Sequence, residues 1–265
     1  MSKFKSVFLK IVSIVGICLY SFVCITLQFF LWTLQILDSP YEKVEVYESE
    51  YFKYVFLRDS VAYYDKNDDS VAIVGFTYAG LKKYSLHIPK KIDGHIVKQI
   101  GLAKTDAYID GERYFYKSWR VQFDVNHAKV FFYDNIEELN LINVSKDGRD
   151  VVVTSTEIRN AHWLSRFDNL YVYKEYVEFF KFYNDNAKAA NVVFMNNYPG
   201  IIDSGYYGLD YTYYGHRIEK LLDPELEGYQ FTGWFTEPEC INEWDFNQVP
   251  IIDEEFKLYA GWSFM

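Results

Sequence analysis

Read as a string of apolar and polar positions, the chain opens on an unbroken apolar block. Ile11 to Leu37 carries no charged residue and is interrupted only by Gln28, Gln35 and small hydroxyl residues. As a helix rising about 1.5 Å per residue the block spans about 40 Å, more than the ~30 Å of a bilayer's hydrocarbon core. The pattern predicts one transmembrane signal-anchor over residues 11–37. Lys3, Lys5 and Lys10 precede it and Asp38, Glu42 and Glu45 follow it, which puts the N-terminal ten residues in the cytoplasm and the body outside. A cleaved signal peptide is the alternative. It would have a shorter apolar region, about 7–15 residues, and a small-residue cleavage site, and no A-x-A-like site occurs here.

Residues 38–59 are rich in charge and read as a stalk, and beyond them the period of the pattern falls to two. Tyr84, Leu86 and Ile88 alternate with Ser85 and His87 until Pro89 ends the run, which is one apolar face of a strand. Ile92, Ile96, Val97 and Ile100 form a second apolar set around an Asp93-Gly94 turn. Val61-Ala-Tyr-Tyr and Val71-Ala-Ile-Val-Gly-Phe flank the polar run Asp65 to Asp69 and predict a hairpin. From Leu170 the period lengthens: Tyr176, Phe179, Phe180 and Tyr183 fall at i, i+3, i+4 and i+7, the spacing of one helix face. The last segment alternates again. Tyr229 and Phe231 interleave with Gln230 and Thr232, while Phe256, Leu258, Ala260 and Trp262 share one strand face.

Composition sharpens this picture. A fifth of the chain is aromatic, with 25 Tyr and 22 Phe, a bias toward pleated, half-buried surfaces. Residues 1–37 hold three of the 27 basic residues and none of the 37 acidic ones, so the remainder carries 24 against 37, a net −13. A polyanionic body excludes nucleic acid as the expected partner, since phosphate binding needs a basic face. Cys18 and Cys24 lie in the apolar block, leaving Cys240 alone in the body, with no internal disulfide and no multi-cysteine metal site to form there.

Two segments resemble known families. Val71-Ala-Ile-Val-Gly-Phe together with Leu86-His-Ile-Pro-Lys-Lys-Ile-Asp-Gly-His-Ile-Val-Lys-Gln-Ile-Gly101 resembles the BspA-like leucine-rich repeat family, in which a strand ending at Ile-Pro is followed by an Ile-Asp-Gly turn and a Val-x-x-Ile-Gly step. Ile136 to Ile142, Val151-Val-Val-Thr and Leu170-Tyr-Val-Tyr-Lys-Glu follow the same rhythm more loosely. The resemblance implies a short β-solenoid over residues 60–190, closed by a helical cap between Leu170 and Ala190, with residues 102–135 departing from the pattern. The C-terminal segment, residues 191–265, is similar to the Listeria–Bacteroides (internalin-type B) repeat. Gly228-Tyr-Gln-Phe-Thr-Gly-Trp-Phe235, Trp244-Asp-Phe246 and Leu258-Tyr-Ala-Gly-Trp262 occur in the family's order, after Val192-Val-Phe-Met, Tyr214-Gly215 and Asp223-Pro224. That likeness implies a small β-grasp-like module of the kind found in surface proteins. The expected fold class is therefore mostly β (α+β): a transmembrane helix, a stalk, a leucine-rich-repeat-like solenoid and a B-repeat.

No catalytic signature emerges. The five histidines (His87, His95, His127, His162, His216) show no H-E-x-x-H or other ligand spacing, and His87 reads as an exposed strand residue. Cys240 falls in the loop Glu237-Pro-Glu-Cys-Ile-Asn, where a solvent-exposed free thiol is expected rather than a nucleophile. No G-x-S-x-G, Walker or Rossmann motif is present, and no cofactor or metal is expected. Aromatic residues supply the candidates for recognition. Tyr114, Phe115, Tyr116 and Trp119 gather in the irregular stretch, where binding loops are common. Tyr206, Tyr207, Tyr211, Tyr213 and Tyr214 crowd a second segment, for which a core role is preferred. The expectation is a single-pass bacterial surface protein that binds an extracellular protein or glycan without catalysis. A passive spacer of an envelope assembly is the alternative and an extracellular hydrolase the third.

Overall fold

The computed structural model describes Gln28 and residues 45–59, 67–102, 106–109, 112–115, 119–124, 126–141 and 148–265. Residues 44–105 and 118–265 form one compact body. Residues 106–117 belong to a separate unit, which carries an antiparallel hairpin, β7 (Asp106–Ile109) with β8 (Glu112–Phe115).

The centre of the body is a parallel sheet. Strands β4 (Ser85–Ile88), β9 (Lys129–Phe132), β11 (Asp150–Val153), β12 (Asn169–Val172) and β13 (Ala187–Ala189) run side by side in that order, all parallel. The apolar runs of β9, β11 and β12 are continuous because both faces are covered. Since side chains alternate across a strand, each run feeds two cores. Val130, Phe132, Val151, Val153, Leu170 and Val172 enter the first core, while Phe131, Val152 and Tyr171 enter the second.

The first core is closed by a mixed sheet, β1 (Tyr47–Glu48), β2 (Phe52–Phe56), β3 (Val71–Phe76), β6 (His95–Ile100) and β10 (Glu138–Leu139), with β5 (Lys91–Ile92) paired to β6. It contributes Phe52, Tyr54, Phe56, Ile73, Val97 and Ile100. The antiparallel partner of β3 is thus Phe52–Phe56, drawn from the segment read as a stalk, and the expected partner Val61–Tyr64 lies outside the described residues. The Asp93-Gly94 turn joins β5 to β6 as expected. Both residues have positive φ, 51° and 88°, the geometry of a two-residue type I′ hairpin, and the Tyr54 hydroxyl donates to Asp93 Oδ2 at 2.8 Å.

The second core is closed by an antiparallel-rich sheet in the order β15 (Tyr206–Asp210), β14 (Val192–Met195), β17 (Phe256–Phe264), β16 (Tyr229–Phe235). Phe194, Tyr207, Leu209, Trp234, Leu258 and Ala260 pack into it. Trp234 is 1% exposed, with Phe194, Phe231 and Tyr207 rings 4.8, 5.3 and 5.8 Å away.

The mostly-β expectation agrees with this architecture, but the rest of the expected fold class needs correction. Instead of a leucine-rich solenoid, the described residues of the body form three sheets around two large cores. The chain leaves the parallel sheet after β4, builds β5 and β6 in the mixed sheet, and returns only at β9. Nor does a helix cap residues 170–190. The helix α1 (Val177–Lys181) is five residues long and buries Phe180, while Phe179 and Phe182 stay exposed and the chain re-enters the sheet at β13. So short a segment cannot stand alone as a helix and depends on tertiary packing. The transmembrane helix expected over 11–37 falls outside the described residues except for Gln28. Among the described residues no helix is long and apolar enough to cross a membrane.

Candidate functional site

Of the four residues singled out in the sequence, two fall in the hairpin unit, one in the body and one outside the described residues. Tyr114 and Phe115 lie in β8, paired with Ala107 and Asp106 across the hairpin. Tyr116 lies outside the described residues. Trp119 belongs to the body: it is half-buried, forms a bridge with Leu102, and packs on Val55, Leu57 and Ala72.

The tyrosine-rich segment after β14 proves to be a mounting surface. Tyr207 is buried between Trp234 and Tyr133. Tyr211 stacks on Tyr171 at 4.2 Å with planes 9° apart, and Tyr206 stacks on Tyr173 at 4.7 Å. The Tyr171 and Tyr213 hydroxyls are 2.8 Å apart, and Tyr213 also donates to Asp150 Oδ2 at 3.2 Å. Only Tyr214 of the set stands fully in solvent.

A polar network reinforces this contact. Lys129 of β9 pairs with the fully buried carboxylate of Asp210 on β15 and donates to the Tyr211 carbonyl at 2.7 Å. Asp210 also accepts the backbone N–H groups of Tyr211 and Glu219, at 2.7 and 2.9 Å. His87, read as exposed, is instead largely covered. It stacks on Phe131 at 4.3 Å, and its Nδ1 lies 3.0 Å from the Tyr133 hydroxyl. Its Nε2 is 3.7 Å from Glu219, whose carboxyl it holds below the usual range. Burial pushes the Tyr133, Tyr171 and Tyr207 phenols well up and Tyr206 to about 12, so all four are neutral donors or acceptors near pH 7. At Gly208 an added Cβ would lie 2.5 Å from Leu221 Cδ1 and 3.5 Å from Tyr133 Cε1, so a side chain there requires Leu221 to shift.

Open to solvent on the same C-terminal sheet is a groove of about 660 Å³. Tyr198, Ile201 and Ile202 come from the loop joining β14 to β15, Phe235 from β16, Pro238 from the turn after it, and Trp262 from β17. The loop is held in shape. Asn196 N donates to Gly205 O at 3.0 Å and its side chain to Ser204 O at 2.8 Å, while Tyr198 N donates to Ser204 Oγ at 3.0 Å. The Trp262 indole N–H donates to Asn196 O at 2.8 Å, fixing the ring against the loop. Phe235 lies over Gly261, where a Cβ would come within 2.3 Å of its ring. Bracketed this way, Ile202 stands fully exposed and Ile201 more than half exposed.

At the base of the groove Asn197 and Cys240 both have positive φ, 47° and 54°. That region is uncommon for a non-glycine residue and is retained where surrounding contacts enforce it. Here Asn197 Nδ2 donates to the carbonyls of Pro238 and Ala260, both at 3.0 Å, and reaches Cys240 Sγ at 3.4 Å. Burial raises the Cys240 thiol above its ordinary value, opposed by the Asn197 contact. A raised thiol is a poor nucleophile at neutral pH. Among the described residues no group of three or more His, Cys, Asp or Glu could hold a metal ion. Sequence reading missed this groove because its walls come from three separated segments, and the signal was present only as the apolar pair Ile201-Ile202 in an otherwise polar turn.

The four-stranded sheet and its loops are built from the segment expected from sequence to be a small repeat module. Residues 191–261 match the family model of the Listeria-Bacteroides repeat domain, a domain of surface proteins. A curated protein of Evansella cellulosilytica, titled "Putative membrane protein", is 40% identical over 50 residues, covering 19% of this chain. The match spans 7% of that relative's own length. No solved structure matches the chain.

Proposed function

We propose that this chain is a non-catalytic binding protein of the bacterial cell surface, anchored through residues 11–37, whose repeat module recognises an extracellular protein or glycan. The observation that supports this reading most is the groove between the β14–β15 loop and β16–β17, where Ile201 and Ile202 are held in solvent beside aromatic walls. Isolated apolar surface residues are ordinary, but a contiguous exposed set on an ordered loop is what binding surfaces use. The buried contact of the repeat with the parallel sheet gives the groove a rigid footing, which lowers the entropic cost of binding.

The test is adhesion of cells displaying the full chain to protein-coated and glycan-coated surfaces. Replacing Ile201 and Ile202 together with Ser is expected to lower adhesion without changing the melting temperature, since neither side chain is in the core. The hairpin pair Tyr114 and Phe115 is a second candidate and is replaced in parallel. A passive spacer role is favoured instead by the commitment of Tyr207, Tyr211 and Tyr213 to the internal contact, and adhesion unaffected by either set would select it.

A further inference from the structure

We propose that Lys129 and Asp210 are a self-joining pair, in which the lysine amine condenses with the aspartate side-chain carboxyl to form an amide. Such a bond ties the parallel sheet covalently to the repeat module, whatever the groove binds. Lys129 lies on the face of β9 that also carries Phe131, with Nζ 5.1 Å from the centre of that ring. Its side chain is largely buried, and Asp210 at the end of β15 is fully so. Nζ is in direct contact with Asp210 Oδ1. Two charges taken out of water gain little as an ion pair, because their desolvation offsets the attraction. An amide in the same place carries no charge and needs only hydrogen-bond partners, which are already present. The Tyr211 carbonyl accepts from Nζ at 2.7 Å. The backbone N–H groups of Tyr211 and Glu219 donate to Asp210 Oδ1 and Oδ2 at 2.7 and 2.9 Å.

An amine and a carboxylate free in water join slowly, but a pair fixed in contact reacts as if at an effective concentration of about 10⁵–10⁸ M. The same two N–H groups face the oxygens on which charge develops, the arrangement that stabilises a tetrahedral adduct. A proton carrier stands beside them. Ser85 is the ladder partner of Lys129 on β4. The Glu219 carboxyl, which takes the Ser85 hydroxyl, is kept charged by His87 above all and by Lys129 and Ser85 as well. The Lys129 ammonium passes one proton to Glu219, and the freed lone pair attacks Asp210 Cγ to form the C–N bond. Glu219 and the nitrogen then each give a proton to one carboxyl oxygen. The bond from Cγ to that oxygen breaks, its electron pair staying on the oxygen, which departs as water. The product is a secondary amide, Glu219 is again a carboxylate, and no oxidant or other co-reactant enters. Asp150, the ladder partner of Lys129 on β11, is the rival carboxylate. Its two oxygens are taken up by Asn169 and the Tyr213 hydroxyl.

The test is mass spectrometry of the full chain purified from cells and denatured. The parent is expected to weigh one water less than its sequence, and its protease digest to contain a branched peptide joining Lys129 to Asp210. Lys129→Arg and Asp210→Ala should each restore the full sequence mass and abolish the branched peptide. Glu219→Gln keeps the backbone N–H that holds Asp210. After a pulse of synthesis its branched peptide should accumulate about a hundredfold more slowly than the parent's, the usual loss when a proton carrier is removed. The parent's own digest decides the outcome even where a variant fails to fold. Full sequence mass with no branched peptide leaves an ordinary ion pair and overturns the proposal. Loss of water without a branched peptide is dehydration within one segment of chain and overturns it equally. A branch from Lys129 to Asp150 or Glu219 overturns the choice of Asp210. Linkage as fast in Glu219→Gln as in the parent overturns the role given to Glu219.

Discussion

Trp234→Ala tests whether the repeat module and the parallel sheet unfold as one. Trp234 is 1% exposed and touches the rings of Phe194, Phe231 and Tyr207. Truncating a buried Trp to Ala removes about 3–5 kcal/mol. Two structural details place this site within that range. Three aromatic neighbours push the loss up, each pair adding about 0.5–1.5 kcal/mol beyond burial. Against that, the indole N–H has no hydrogen-bond partner among the described residues, so its removal relieves a penalty of about 1–3 kcal/mol. The expected net loss is about 3 kcal/mol, or about 6–12 °C in melting temperature for a body of this size. Trp234→Phe keeps a ring and drops the orphaned N–H, and should cost less than about 1.5 kcal/mol.

The location of the loss carries the stronger test. Tyr207 lies between Trp234 and Tyr133, and Tyr133 belongs to the same core as Val152 and Tyr171 of the parallel sheet. The destabilisation should therefore spread to β11 and β12. Hydrogen exchange followed by mass spectrometry, at increasing urea, reads peptides from β11–β12 and β16–β17 separately. Equal acceleration in both is expected in Trp234→Ala. If β16–β17 exchanges faster while β11–β12 keeps the parent's protection, the shared core carries no coupling and the reasoning fails.

Other predictions probe the same contact and its chemistry. Lys129→Met leaves the Asp210 carboxylate buried without its cation and should lower stability by about 3–5 kcal/mol in chemical unfolding, whereas Lys91→Met, which breaks an exposed pair with Glu225, should change it by less than about 1 kcal/mol. Gly208→Ala should cost about 1–3 kcal/mol by driving Leu221 off its position against Tyr133, a claim that an unchanged unfolding midpoint would refute. Alkaline stability follows from the tyrosines. Tyr54 and Tyr206 are raised to about 12, and Tyr133, Tyr171 and Tyr207 are raised as well, with burial the leading cause throughout. A raised phenol pKa favours the fold fully below the ordinary value of 10.0, and that contribution is lost as pH climbs through 12. Absorbance at 295 nm should thus show a block of tyrosines ionising together with unfolding, not a smooth titration centred near 10.

How much of this was legible in the sequence follows from what each signal reports. Periodicity reports which faces are buried, and it located β4, β12, β16 and β17 because their apolar positions alternate or cluster. Turn chemistry reports local backbone, and Asp93-Gly94 fell where expected because positive φ at two successive residues demands those residue types. Continuous runs such as Val151-Val152-Val153 state that two faces are covered without saying by what, and a repeat rhythm was inferred where three sheets were built. The same limit explains Phe52–Phe56, since a buried partner of β3 carries no mark of that pairing in its own pattern. His87 and the tyrosines after β14 show the limit at the level of side chains: their partners, Phe131 and Tyr171 on strands and Tyr133 just past the end of β9, lie far away in sequence, and only the fold brings them together. The groove is the extreme case. Its walls come from residues 198–202, 235–238 and 262, each ordinary in its own segment, and Ile202 becomes informative only once the loop that holds it in water is seen to be ordered.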